Sequence, residues 1–179
     1  MTITQKASAR QLDRWIHQIG QGDRDALAEL YQATATPVYA YALSILKNRH
    51  DAEDVLQECY VSICRSAISY TRQEKPMAWI MTITRNLCLK LLRQQKRYIP
   101  LEDAYFGSED TDSDLRLLLD GCMKLLSDQD RQIVVLHAVA GCTHAQIGKH
   151  LGLKTGTVLS KYHRAIQKLR ISLGKEDLS

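Results

Sequence analysis

Apolar residues recur along this chain with the period of a helix, and no stretch alternates as a strand would. Leu12, Trp15, Ile16 and Ile19 share one side of a helix that begins at Arg10 and ends near Gly20-Gln21-Gly22. Asp23 is placed to cap a second helix. Its stripe of Ala26, Leu27, Leu30 and Tyr31 resumes at Val38, Tyr41, Ala42, Ile45 and Leu46. Pro37 falls in the gap and predicts a kink or a break, because it lacks a backbone donor. A third helix is predicted over Asp51–Ser66, with Asp51 as N-cap and Asp54 in the first turn, where the helix dipole favours acids. It turns Ala52, Val55, Leu56, Cys59 and Ile63 to a core. A fourth runs from about Met77 to Tyr98 behind Pro76, burying Ile80, Ile83, Thr84, Leu87 and Leu91.

The pattern resumes after residue 114. Leu115, Leu118, Leu119, Cys122, Leu125 and Leu126 form one amphipathic helix. Ser127 caps the next, which carries Ile133, Val134, Leu136, His137 and Val139 and stops at Gly141. Two further helices meet at Gly152. The first has Ile147 and Leu151 four residues apart, with Ala145 and Gly148 small enough for close approach. The second aligns Val158, Tyr162, Ala165 and Leu169 at i, i+4, i+7 and i+11. Gly152 suits the left-handed turn that throws one helix across the other. This is a helix-turn-helix arrangement, whose second helix enters the DNA major groove.

Charge divides the same chain into three. Residues 1–99 carry 14 basic and 9 acidic side chains, residues 100–114 none and 6, and residues 115–179 carry 10 and 5. Two basic blocks flank one acidic segment, which points to two nucleic-acid-facing domains. The predicted fold is therefore all-α: helical domains at 1–99 and 114–179, joined by a flexible acidic linker at 100–113. Fully extended, that linker spans about 45 Å. No apolar run is long enough for a membrane span and no signal-peptide pattern opens the chain, so a cytoplasmic protein without membrane insertion is expected. Five cysteines without a CxxC pair read as reduced and mostly buried. Cys142, His144 and His150 lack a second ligand pair, so no metal and no cofactor are predicted. Nor is there a nucleophile–base pairing or P-loop, which argues against an enzyme and against a small-molecule substrate.

Three polar surfaces remain. Glu53, Asp54, Gln57, Glu58 and Val61 make a compact acidic and amide face on the third helix, either a solvated face or a docking surface. On the fourth helix Asn86, Lys90, Arg93 and Arg97 fall at i, i+4, i+7 and i+11, with Arg85, Lys96 and Tyr98 nearby. Together with Tyr70 and Arg72 of the preceding loop, this stripe can track a backbone and stack an exposed base. On the last helix Ser160, Lys161, His163, Arg164 and Lys168 lie off the apolar line without an acid among them. Arg can grip guanine, Ser can donate to phosphate or base, and Lys neutralises phosphate.

With these pieces in place, the chain resembles a bacterial RNA polymerase sigma factor of the extracytoplasmic-function class, from about residue 23 to 172. DAEDVLQECY resembles the family's polymerase-binding helix, which implies docking on core RNA polymerase through Asp51, Asp54, Gln57 and Glu58. PMAWIMTITRN, residues 76–86, resembles the helix that recognises the melted minus-ten element. The resemblance adds Trp79 to Tyr70, Arg72, Arg85, Asn86, Lys90, Arg93 and Arg97 as its readers. GTVLSKYHRA, residues 156–165, resembles the run that reads the minus-thirty-five element, implying contacts from Thr157, Leu159, Ser160, Lys161, His163, Arg164 and Lys168.

Three positions depart from the family pattern. Lys90 replaces the usual Asp or Asn and makes the minus-ten helix more basic. Leu159 replaces Lys or Arg, and Tyr162 replaces an aliphatic residue. The partners implied are core polymerase, promoter DNA and an anti-sigma factor, with nucleotide transfer left to the polymerase. The rival reading is a helix-turn-helix regulator that binds duplex DNA unaided. Such a protein would need neither the DAED…QE face nor the long basic stripe.

Overall fold

Side-chain caps open most of the helices. Ser8 accepts from the Gln11 amide and starts α1, Ala9–Gly20. Asp23 accepts from the amides of Asp25 and Ala26 and starts α2, Arg24–Leu46. Asn48, rather than Asp51, caps α3, Arg49–Ser66, by accepting from the Asp51 amide. The helix thus begins three residues earlier than expected, because Lys47 takes a left-handed φ of 58° and turns the chain sooner. A short 3-10 turn, Ala67–Ser69, follows, and α4 is Pro76–Tyr98. Ser127 caps α5, Asp128–Val134, which continues as a π turn over Val135–Val139. Helix α6 is His144–Leu151 and α7 is Thr155–Glu176.

This computed structural model describes residues 7–71, 75–98 and 124–176, and among them there is no strand. The fold is all-α. The chain separates into two compact units, Met1–Asp103 and Ala104–Ser179. The expected linker at 100–113 and the helix expected over Leu115–Leu126 lie outside the described residues, apart from the last turn of that helix.

In the N-terminal unit α1, α2, α3 and α4 surround one interior. Ile16, Leu30, Val38, Tyr41, Ile63, Ile80 and Met81 are fully buried, each stabilising the fold by about 1.5–3 kcal/mol before chain entropy is counted. Helix α2 is not broken at Pro37, which rules out the break, one of the two outcomes expected there. Thr34, Pro37, Val38, Tyr41 and Ala42 are all buried, and this packing on both sides of the proline outweighs its cost of about 3 kcal/mol. The buried face of α4 is also rotated from the expected one. Ile80 and Thr84 are fully buried as expected, but Met81 and Cys88 join them, whereas Ile83, Leu87 and Leu91 are half-buried.

Helices α3 and α4 approach closely there through polar contacts. Thr84 gives its hydroxyl proton to the Ile80 carbonyl and so accepts from the Cys59 thiol at 3.4 Å. By the same logic Thr34 donates to the Leu30 carbonyl and accepts from Tyr60 Oη at 2.7 Å.

Among the described residues, the C-terminal unit is built on two short helices, the 22-residue α7 and tight turns. Leu126, Val134 and Ala165 pack together with Tyr162, Ile166 and Leu169 against them. The π turn leaves Val139 exposed and buries Val135 and Ala140, a phase shift that the regular period did not anticipate. Gly141 (φ 73°) ends it, and Gly152 (φ 70°) makes the turn between α6 and α7, as its place in the sequence predicts. Thr143 and Gln146 form a reciprocal capping box at the start of α6.

Candidate functional site

On α3, Asp54, Gln57, Glu58 and Val61 are exposed and stand at i, i+3, i+4 and i+7, one line along the helix. Glu58 lies 3.7 Å from Arg65, both well exposed, so that pair adds little stability and leaves the carboxylate available. Val61, 41% exposed, puts an apolar spot within the acidic line. Asp51 is placed differently from these three. Its Oδ2 accepts from Gln95 Nε2 at 2.9 Å, which ties the start of α3 to α4 and leaves Asp51 half-buried.

On α4, Asn86, Lys90 and Arg93 are exposed and Arg85 half-buried. Arg72 and the Arg97 side chain lie outside the described residues. Trp79 stands seven residues before Asn86, two turns back on the same line. Its ring meets that of Tyr70 with centroids 4.7 Å apart and planes tilted by 56°. Two residues taken from separate stretches of sequence are thus brought together at the head of the basic stripe. The Tyr70 hydroxyl donates to Asp13 Oδ1. Sequence reasoning missed Asp13, which sits among apolar residues of α1 and carries no motif. A carboxylate inside an otherwise apolar stretch was its only signal.

On α7, Thr157, Leu159, Ser160, His163, Arg164 and Lys168 are exposed, Leu159 to 40%. Arg164 Nε donates to the Ser160 carbonyl at 3.4 Å. Lys161, expected to neutralise phosphate, is half-buried and its Nζ sits 3.2 Å from Asp130 Oδ1 on α5. Burial alone would raise the Asp130 carboxyl. The Ser127 and Lys161 hydrogen bonds and the charges of Lys161 and Lys168 outweigh that and hold it below its usual range.

Behind α7, the rings of His137 and His144 stack at 4.2 Å and Tyr162 meets His137 edge-on at 4.6 Å. His137 Nδ1 donates to the Cys142 carbonyl at 2.9 Å. This use of Tyr162 explains why an aromatic serves where an aliphatic was expected. Burial first, then His137 and His163, hold His144 below the ordinary imidazole range. Among the described residues no His, Cys, Asp and Glu group has metal-binding geometry. Burial pushes the Cys59 thiol up to about 11 and the Cys88 thiol up to about 12, Cys59 adding to the latter. Both stay protonated and unreactive near neutral pH. No helix among the described residues is long and apolar enough to cross a membrane.

The family model for Sigma-70 region 2 matches residues 9–98, and the model for Sigma-70, region 4 matches residues 116–169. The chain is 30% identical to the ECF RNA polymerase sigma factor SigK of Mycobacterium sp. (strain KMS), over 91% of each chain. It is 34% identical to the RNA polymerase sigma factor CarQ of Myxococcus xanthus, over 88% of this chain and 94% of that one. In fold it is similar to the sigma factor RpoE of Bartonella quintana, solved with the anti-sigma factor NepR. That likeness has a TM-score of 0.65 and 21% identity, and covers 82% of this chain and 96% of that one.

Proposed function

The chain belongs to the sigma-70 family, as a sigma factor of the extracytoplasmic-function class, and we propose that its two units divide promoter recognition between them. It binds core RNA polymerase and directs it to specific promoters for transcription initiation. The observation that carries this reading is the pairing, within one unit, of an acidic line on α3 with a basic, aromatic-headed line on α4. A protein that only gripped DNA would gain nothing from the acidic line, which repels phosphate.

Asp54, Gln57 and Glu58 dock on the polymerase, with Val61 as an apolar contact among them. Asp51 supports the docking helix from behind through Gln95. Tyr70, Trp79, Arg85, Asn86, Lys90 and Arg93, with Arg72 and Arg97, hold the melted minus-ten strand. Thr157, Leu159, Ser160, His163, Arg164 and Lys168 read the minus-thirty-five duplex. Lys161 works chiefly through Asp130, setting the seat of α7. The domains that do this work are residues 1–99 and 114–179, one within each compact unit, and the acidic segment 100–113 lies in the polymerase's transcript path. The factor carries no catalytic chemistry of its own and works in the cytoplasm beside the polymerase. An anti-sigma factor is its regulatory partner.

Either unit alone offers few contacts, and a shared polymerase converts two weak events into one by effective concentration. Free protein therefore binds promoter duplex poorly. Permanganate reactivity of thymines around the minus-ten element should appear with holoenzyme and not with the free chain. Tight, site-specific duplex binding by the free chain, unchanged on adding core, would overturn the reading in favour of a self-sufficient regulator.

A further inference from the structure

Asp13 is only 2% exposed, on a helix whose other inward residues are Leu12, Trp15, Ile16 and Ile19. A carboxylate taken out of water is costly unless something hydrogen-bonds it, and an apolar residue of similar size would serve packing better. The hydrogen bond it accepts comes from the hydroxyl of Tyr70, 57 residues away. Tyr70 ends the 3-10 turn, where its amide bonds the Ala67 carbonyl at 3.2 Å. Its ring lies against Trp79, and both residues are half-buried. Beyond Trp79 the same line of α4 continues through Asn86, Lys90 and Arg93.

We propose that Asp13 is a positioning residue for promoter opening: through the Tyr70 hydroxyl it fixes the Tyr70–Trp79 ring pair as the platform on which one unpaired base stacks, at the head of the basic line of α4. The inference rests on the promoter-opening role proposed above. Its physical basis is preorganisation. A loop tyrosine tethered at its hydroxyl loses its freedom before the strand arrives, so stacking need not pay for ordering it. The basic line then holds the phosphates that follow.

The test compares holoenzymes carrying wild type, Asp13→Leu, Asp13→Asn and Tyr70→Phe on a promoter selected from a random library by the wild-type holoenzyme. Thymine permanganate reactivity reads opening, core affinity reads docking, and thermal denaturation of the free chain reads stability. Asp13→Leu and Tyr70→Phe should each lower opening by about tenfold, the scale of one stacked base. Core affinity should hold, and the melting temperature of Asp13→Leu should hold or rise, since a buried carboxylate has gone. Asp13→Asn keeps an acceptor oxygen and restores opening. The Asp13→Leu/Tyr70→Phe double variant opens no worse than either single.

Wild-type opening by Asp13→Leu, additive losses in the double variant, or a melting temperature that falls in step with opening would each overturn the inference alone. A wild-type holoenzyme that opens no promoter would instead overturn the function proposed above, and this inference with it.

Discussion

In the N-terminal unit α2 and α4 each run 23 residues and α3 runs 18, whereas in the C-terminal unit α5 has 7 and α6 has 8, and among the described helices there only α7, with 22, is long. Helices as short as α5 and α6 do not persist in water by themselves. The longer helices are held by a wide apolar interior crossed by the Thr34–Tyr60 and Cys59–Thr84 contacts. The shorter ones are held at their ends, by Ser127, the Thr143–Gln146 box, Gly141 and Gly152. One unit therefore keeps its stability in its interior and the other keeps much of it in its turns. The division suits the work proposed for each: a long rigid bar to carry a melted strand, and a compact clamp to aim one helix at a groove.

That contrast can be broken at its strongest point first. Leu30 is fully buried between the long helices, and Leu30→Ala should destabilise the protein by about 2–5 kcal/mol in urea unfolding. A loss below 1 kcal/mol would show that the interior relaxes more than its packing implies. In the C-terminal unit the sharpest change is at Gly148, where an added Cβ would meet the Leu153 carbonyl oxygen at 2.7 Å. Backbone cannot step aside cheaply there, so Gly148→Ala should cost about 1–3 kcal/mol. At Gly156 an added Cβ meets nothing within 4 Å. Gly156→Ala should leave stability unchanged or raise it, and an equal loss at both glycines would refute the steric account.

Thr143→Ala removes the capping box and should cost about 1 kcal/mol, measured as a shift of the same unfolding midpoint.

Acid should erode the C-terminal unit in two stages. His144 is held below its ordinary value when folded, chiefly by burial, so the unfolded chain binds protons more readily. Stability is then full above the unfolded histidine pKa of about 6.5 and falls as pH drops below it. Asp130 is also held low, so its contribution persists above the usual carboxylate range and disappears as pH falls through its folded value. Removing the imidazole with His144→Gln should abolish the first stage, and Lys161→Met should diminish the second. A single acid transition in wild type would contradict both assignments.

The smallest expected difference separates two lysines on α7. Lys168→Ala should reduce the salt slope of promoter binding by about 0.9 for one lost phosphate contact. Lys161→Ala should leave that slope nearly unchanged, because its charge already faces Asp130 at 3.2 Å. Equal slope changes would return Lys161 to the phosphate-contacting set.

Much of this protein was settled by local chemistry that a sequence carries openly. The period of its apolar residues specified helices, and Asp23, Ser127 and Gly152 specified where helices begin and end. Those signals act between residues a few positions apart, so no partner from elsewhere is needed to read them. The acidic line of α3 and the basic line of α4 were legible for the same reason, since helical spacing alone aligns them. What the tertiary structure decided are the matters in which distant segments compete. Packing carried α2 through Pro37. Met81 and Cys88 joined Ile80 and Thr84 on the buried face of α4, and Ile83, Leu87 and Leu91 moved to its margin. Lys161 turned to Asp130, Asp51 to Gln95, and Tyr70 to Asp13, partners 31, 44 and 57 residues away. Burial and pairing across such separations depend on which helices become neighbours, and that is fixed only when the whole interior closes.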